Sequence, residues 1–248
     1  MNNKISPSGI EWCTHVWNPY WGCRNNCTYC YARTLAKRFA GQIAKWETEA
    51  NNWLPKDEKK LKERLLKFLP TSLKFNFEKE FPQKTAHIFV GSMSDIEHWD
   101  HKDLDMTIQK CKDHPQHTFL FLTKNPKVYN DHIWPHNCWL GWTITRQADY
   151  TKRTQNGDIF PYMLTNKAFL SIEPLHGKVS MNALFPFDWV IVGAETGRKN
   201  RKIPKFDWLN SIYDNCGKLG IPIFMKPNLQ QCFPDLQLKQ DIPFGGKV

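Results

Sequence analysis

The segment HIFVGSMSD (His87–Asp95) sets Ile88, Phe89 and Val90 in an unbroken apolar run and then ends in Gly91, Ser92, Ser94 and Asp95. An unbroken run, rather than alternation, is how a strand buried on both faces reads, and such strands belong to parallel sheets. The pattern returns in TFLFLTKNP (Thr118–Pro126), CWLGWTIT (Cys138–Thr145), AFLSIEP (Ala168–Pro174), WVIVGAE (Trp189–Glu195) and IPIFMKP (Ile221–Pro227). An earlier candidate is IEWCTHVW (Ile10–Trp17). Helix-compatible stretches lie between them: Tyr31–Lys45, Lys56–Phe68, His101–Asp113, Arg146–Gln155 and Pro204–Lys218. Alternating strands and helices predict a parallel sheet. Seven such strands with right-handed crossovers predict an α/β fold: a single-domain parallel (β/α) barrel over 1–248, full or partial, of the TIM type.

Residues 46–84 break the rhythm. The stretch is longer than one crossover needs and carries KDEKKLKERLLKF (Lys56–Phe68), with Leu61, Leu65 and Phe68 at helical spacing. One face can pack while the lysines meet water. It reads first as a helical insertion covering the barrel flank, and second as a partner-binding element.

At 248 residues, 41% hydrophobic and 23% charged, the chain has the composition of a globular protein. No apolar run nears the roughly 20 residues that span a bilayer, and MNNKISPSGIEW has no signal-peptide core. No membrane partner and a cytoplasmic location are expected. The formal net charge of +10 suits a polyanionic partner or a phosphorylated substrate.

Eight cysteines in such a chain argue for metal or redox chemistry rather than disulfides. Three fall together in GCRNNCTYCYA (Gly22–Ala32): Cys23, Cys27 and Cys30. The other five (Cys13, Cys111, Cys138, Cys216 and Cys232) are scattered and read as small buried hydrophobes. Closed zinc sites and fully ligated iron–sulfur clusters generally take four protein ligands. Three thiolates would leave one metal position open for a substrate or cofactor. A site completed by Cys13 or His15, as in a zinc ribbon or an electron-transfer cluster, is the competing reading.

In parallel barrels the chemistry sits where strands end. Those positions are Ser92, Ser94 and Asp95; Thr123 and Lys124; Thr143 and Thr145; Ser171 and Glu173; Glu195; and Lys226. Lys124, Glu173 and Lys226 are the candidate catalytic residues, although such charges can also form a rim network. The loop GRKNRK (Gly197–Lys202) follows Glu195 directly and is a candidate phosphate-recognition loop or a solvated rim. His98 and Trp99, in DIEHWDHKD (Asp95–Asp103), are candidate substrate contacts.

The Cys-x-x-x-Cys-x-x-Cys spacing, with Tyr29 before the third cysteine, resembles the signature of the radical SAM superfamily. The segments quoted above, in their order from Ile10 to about Pro227, resemble a phage- and bacteria-associated radical-SAM-like family named after phage proteins of unknown function. The resemblance implies a 4Fe–4S cluster on Cys23, Cys27 and Cys30 whose open iron chelates S-adenosylmethionine. It implies reductive cleavage to a 5′-deoxyadenosyl radical that abstracts hydrogen from a substrate. Tyr29 would pack near the adenine, Ser92 and Ser94 near the amino group, and Glu173 or Thr143 near the ribose. The WVIVGAE strand, with Gly193 and Glu195, would lie against the adenine. The partners implied are an external one-electron reductant such as flavodoxin or ferredoxin and, from the charge, a nucleotide or nucleic-acid substrate. The alternative is an iron–sulfur or zinc barrel protein that binds nucleic acid without cleaving the cofactor.

Overall fold

The structure is a computed structural model that describes residues 3–154, 161–197 and 200–244. The chain is a mixed α/β protein with a large, mostly parallel sheet of eight strands. Met1–Phe121 and Leu122–Val248 form two compact units.

The first unit opens with three short strands, β1 (Ser6–Pro7), β2 (His15–Trp17) and β3 (Tyr20–Trp21). The cysteine loop follows, then α1 (Tyr31–Asn51), α2 (Pro55–Leu66), β4 (Thr71–Ser72) and α3 (Lys74–Phe77). β5 (His87–Val90), α4 (His101–Lys112) and β6 (Thr118–Thr123) complete it, the last crossing into the second unit. β2, β5 and β6 run parallel, with Trp17 opposite Val90 and Val90 opposite Phe121. β1 pairs antiparallel at the edge of β2, and β3 and β4 form a separate two-stranded ribbon. Neither the antiparallel edge nor the ribbon was expected, because strands of two residues carry no periodicity.

α1 runs six residues past the expected Lys45. Its buried stripe, Ala32, Ala36, Ala40 and Ala44, recurs every four residues and packs with Leu61 and Leu65 of α2, Phe68, Leu73, Met93 and Trp21. Glu47 lies in this continuation. This carboxylate is 2% exposed, yet it accepts hydrogen bonds from the Lys74 and Phe75 N–H groups at the start of α3 and from Asn51. Burial raises its pKa, opposed by those three donors. The stretch 46–84 therefore holds the end of α1, all of α2, β4 and α3.

The second unit contains β7 (Cys138–Ile144), α5 (Gln147–Thr154), α6 (Tyr162–Thr165), β8 (Ala168–Ile172), α7 (Met181–Leu184), β9 (Trp189–Val192), α8 (Phe206–Leu219) and β10 (Ile223–Met225). β7 to β10 pair in chain order and parallel. Every residue of β8, β9 and β10 is buried, as their continuous apolar runs predict.

Candidate functional site

The cysteine loop leaves β3 through Gly22, whose φ is +90°. A Cβ there would run into the carbonyls of Phe68 and Leu69, so glycine is required by both sterics and conformation. Gly22 N–H donates to Met93 O at 3.0 Å and Cys23 N–H to Phe68 O at 3.1 Å. The loop is thus wedged between the turn after α2 and the segment after β5.

Two sulfurs already accept backbone N–H groups, Cys23 from Asn25 at 3.3 Å and Cys30 from Arg33 at 3.4 Å. Cys30 is the N-cap of α1, where the helix dipole favours negative charge on its sulfur. The Cys23 thiol is pushed up to about 12, chiefly by burial, with Asp95, Cys27 and Cys30 adding to the rise and the Asn25 N–H opposing it. Raised in this way, the Cys23 thiol does not ionise at neutral pH unless a cation neutralises it. Among the described residues no three His, Cys, Asp or Glu side chains converge closely enough to hold a metal ion. The donor set nevertheless has the chemistry of a thiolate metal loop: soft ligands, amide donors at two sulfurs and a helix N-terminus.

Asn25 Nδ2 donates to Asp95 Oδ2 at 2.8 Å, and its Oδ1 lies 3.3 Å from His98 Nε2. Tyr31 Oη donates to Ser92 O at 2.8 Å. Ser92 Oγ donates to Asn18 Oδ1 at 3.1 Å, and Ser94 Oγ accepts from the Trp99 indole at 3.0 Å. Trp99 itself is 7% exposed and stacks on Tyr20 at 5.1 Å, which makes it part of the core around the loop. Tyr29 is half-buried on the loop. Asn18 and Asn25 were not anticipated, and no local pattern in the sequence marks them.

In the second unit the strand ends form a separate polar group. Lys226 Nζ donates to Glu173 Oε1 at 2.6 Å, with side chains 15% and 28% exposed. Gly193 lies beneath them: a Cβ there would stand 3.0 Å from Lys226 Cδ and 3.3 Å from Glu173 Cδ. Glu195, 6% exposed, accepts from His176 Nε2 at 2.9 Å and from Lys202 N–H at 3.3 Å. Lys202 Nζ donates to His176 O. Four sequence candidates (Glu173, Gly193, Glu195 and Lys226) therefore come together at the ends of β8, β9 and β10. His176 and Asn228 join them unforeseen, each following a strand end and a proline. Lys124 and Thr143 stand half-buried at the ends of β6 and β7. Thr145 is committed to Asp149 at the start of α5 through both its N–H and its hydroxyl. In GRKNRK, Arg198 and Lys199 lie outside the described residues, as does Gln155 of the expected helix.

The chain matches the family described as "Protein of unknown function (DUF5131)" over residues 7–232, and it belongs to that family. No curated protein matches it. Among solved structures it is similar to a cysteine-to-serine mutant of spore photoproduct lyase, with 12% identity over 93% of this chain and 77% of that one, at a TM-score of 0.43.

Proposed function

We propose that this member of the DUF5131 family is a radical SAM enzyme holding a 4Fe–4S cluster on Cys23, Cys27 and Cys30. The observation that supports this most is the loop itself: three cysteines, of which Cys27 and Cys30 raise the cost of ionising Cys23, with a helix N-terminus at the third. The other cysteines lie elsewhere. Cys13 sits against Ser8, and Cys111, Cys138 and Cys216 are no more than 1% exposed. Bound there, a 4Fe–4S cluster would supply one electron to the sulfonium of S-adenosylmethionine, yielding methionine and a 5′-deoxyadenosyl radical.

The chain's own residues prepare that step. Gly22 lets the loop approach the backbone at 68–69, and the Asn25 and Arg33 amides donate to two of the sulfurs. Amide donors at sulfur raise a cluster's potential, so an external one-electron reductant such as flavodoxin or ferredoxin is part of the reading. Ser92, Ser94, Tyr29, Thr143, Gly193 and Glu195 are the residues we assign to the cofactor. Lys124, Glu173 and Lys226 are assigned as catalytic, Glu173 also to the cofactor, and the substrate is read as anionic, nucleotide or nucleic-acid-related. The parallel sheet is read as one (β/α) barrel domain, full or partial.

Anaerobic reconstitution tests the proposal. About four irons per chain and slow formation of 5′-deoxyadenosine under strong reductant are expected. Alanine at Cys23, Cys27 or Cys30 removes the iron, whereas alanine at Cys111 or Cys216 leaves it. Stoichiometric zinc without iron ends the reading.

A further inference from the structure

The helical insertion holds a feature that the cysteine loop and the strand ends do not use. From Tyr31 to Lys67 the sequence has ten Lys and Arg against five Asp and Glu, a surplus equal to half the chain's formal net charge of +10. Lys56, Lys59, Lys60, Lys62 and Lys67 are all exposed. Among the described residues none of these five has a carboxylate within ion-pair distance; Lys45, on α1, is paired with Glu49 at 3.7 Å. Lys56 and Lys60 fall on the face of α2 opposite buried Leu61 and Leu65, and Lys67, the residue that caps the helix, continues that row past exposed Glu63. At 1.5 Å per residue the row extends about 16 Å, long enough to follow a few phosphates of one strand.

The tip joining the two helices carries an aromatic ring. Asn52 closes α1 in the left-handed conformation, its N–H bonded to Glu49 O and Thr48 O, and Trp53 N–H bonds Thr48 O. Pro55 then starts α2. On this short, rigid connection Trp53 is 43% exposed and Leu54 57% exposed. A large ring held out on a fixed turn loses little entropy on binding. Rows of cations beside an exposed aromatic are what single-stranded nucleic acid uses, phosphates on the former and a base on the latter.

We infer that the α1–α2 hairpin is a docking arm for single-stranded nucleic acid, with Lys56, Lys60 and Lys67 on phosphates and Trp53 stacked on an unpaired base. An anionic membrane is the other surface that a basic helix can meet. It would need the apolar stripe of α2, but Leu61 and Leu65 are spent on α1, at 7% and 0% exposure. The inference deepens the substrate part of the function proposed above and does not require the cluster.

The test is binding of the full chain to a labelled single-stranded oligonucleotide, its duplex and phosphatidylserine vesicles across a salt series. The single strand should bind best. Changing Lys56, Lys60 and Lys67 together to Gln should weaken it and lessen the log–log salt slope by about two, since each single-strand phosphate contact contributes about 0.7. Changing the same three to Arg should restore binding. Trp53→Ala should lose about tenfold or more in affinity at an unchanged slope, whereas Trp53→Phe should retain most of it. Iron content and cofactor cleavage in all variants should equal the wild type, so failure of the arm and failure of the radical SAM reading are read separately. The inference is overturned if the single strand does not bind at low salt, if binding ignores both sets of changes, or if vesicles bind and oligonucleotides do not.

Discussion

Asn228 acts as a strand neighbour to Ala194: its Oδ1 accepts the Ala194 N–H at 3.0 Å and its Nδ2 donates to the Ala194 carbonyl at 2.9 Å. Ala194 is 3% exposed and lies just beyond β9, where no strand remains to satisfy its backbone. Asn228→Leu keeps the bulk and orphans both groups, at about 1–3 kcal/mol each. Equilibrium unfolding in urea should show a loss of at least about 2 kcal/mol. A loss under about 0.5 kcal/mol, the range of a neutral surface change, would show that the amide bonds are dispensable.

Gly22→Ala should cost more than its single methyl suggests. The new Cβ meets backbone carbonyls rather than a flexible side chain, and φ is +90°. We expect destabilisation of at least about 2 kcal/mol and a fall in iron uptake with all three thiols still present. Thiol titration alongside iron analysis checks this. Full iron loading would mean that the loop tolerates the shift.

Gly193→Val should drive the Lys226 and Glu173 side chains apart while leaving the cysteine loop untouched. The expected outcome is weaker binding of S-adenosylmethionine with unchanged iron content, read by equilibrium dialysis on the reconstituted protein. Wild-type affinity in this variant would remove the β9 end from the cofactor's site.

His117 should make the fold acid-sensitive. It is 1% exposed, and its Nδ1 accepts the Ala86 N–H at 3.2 Å, so a proton on Nδ1 breaks that bond. Burial lowers its pKa, with His114 and His15 adding to the fall and a hydrogen bond involving the Pro82 backbone opposing it. The unfolded chain takes up its proton near 6.5, before the folded one does. Stability is then level above about 6.5 and drops as pH falls from there towards the lowered folded value. Melting temperature at pH 5.5 should lie below that at pH 7.5. His117→Asn, which keeps an acceptor, should narrow the gap; an identical gap in both proteins would acquit this histidine.

Much of the sheet was readable because burial on both faces leaves an unmistakable mark: the runs HIFVGSMSD, TFLFLTKNP, AFLSIEP and WVIVGAE each open on a strand, β5, β6, β8 and β9, and continue two to five residues past it. The three-cysteine loop was readable from spacing alone. What escaped was polar and long-range. Glu47 looks like a helix surface residue until α3 arrives to be capped by it. Asn25, Asn228 and His176 gain their roles only from partners 70, 34 and 19 residues away. No local pattern encodes such pairings, whereas apolar runs and cysteine spacing are local by nature.

The bonds from Asn25 to Asp95 and from Tyr31 to Ser92 give the cysteine loop a schedule. Its cysteines leave the ribosome early, but the anchors that shape it are made about 60–70 residues later. At synthesis rates of about 5–20 residues per second that is a wait of roughly 3–14 seconds. During that interval three thiols are exposed, unshaped and open to oxidation or to the wrong metal. If the loop holds the proposed cluster, loading belongs to the finished first unit, and a cell making this protein has reason to keep those thiols reduced until β5 has folded.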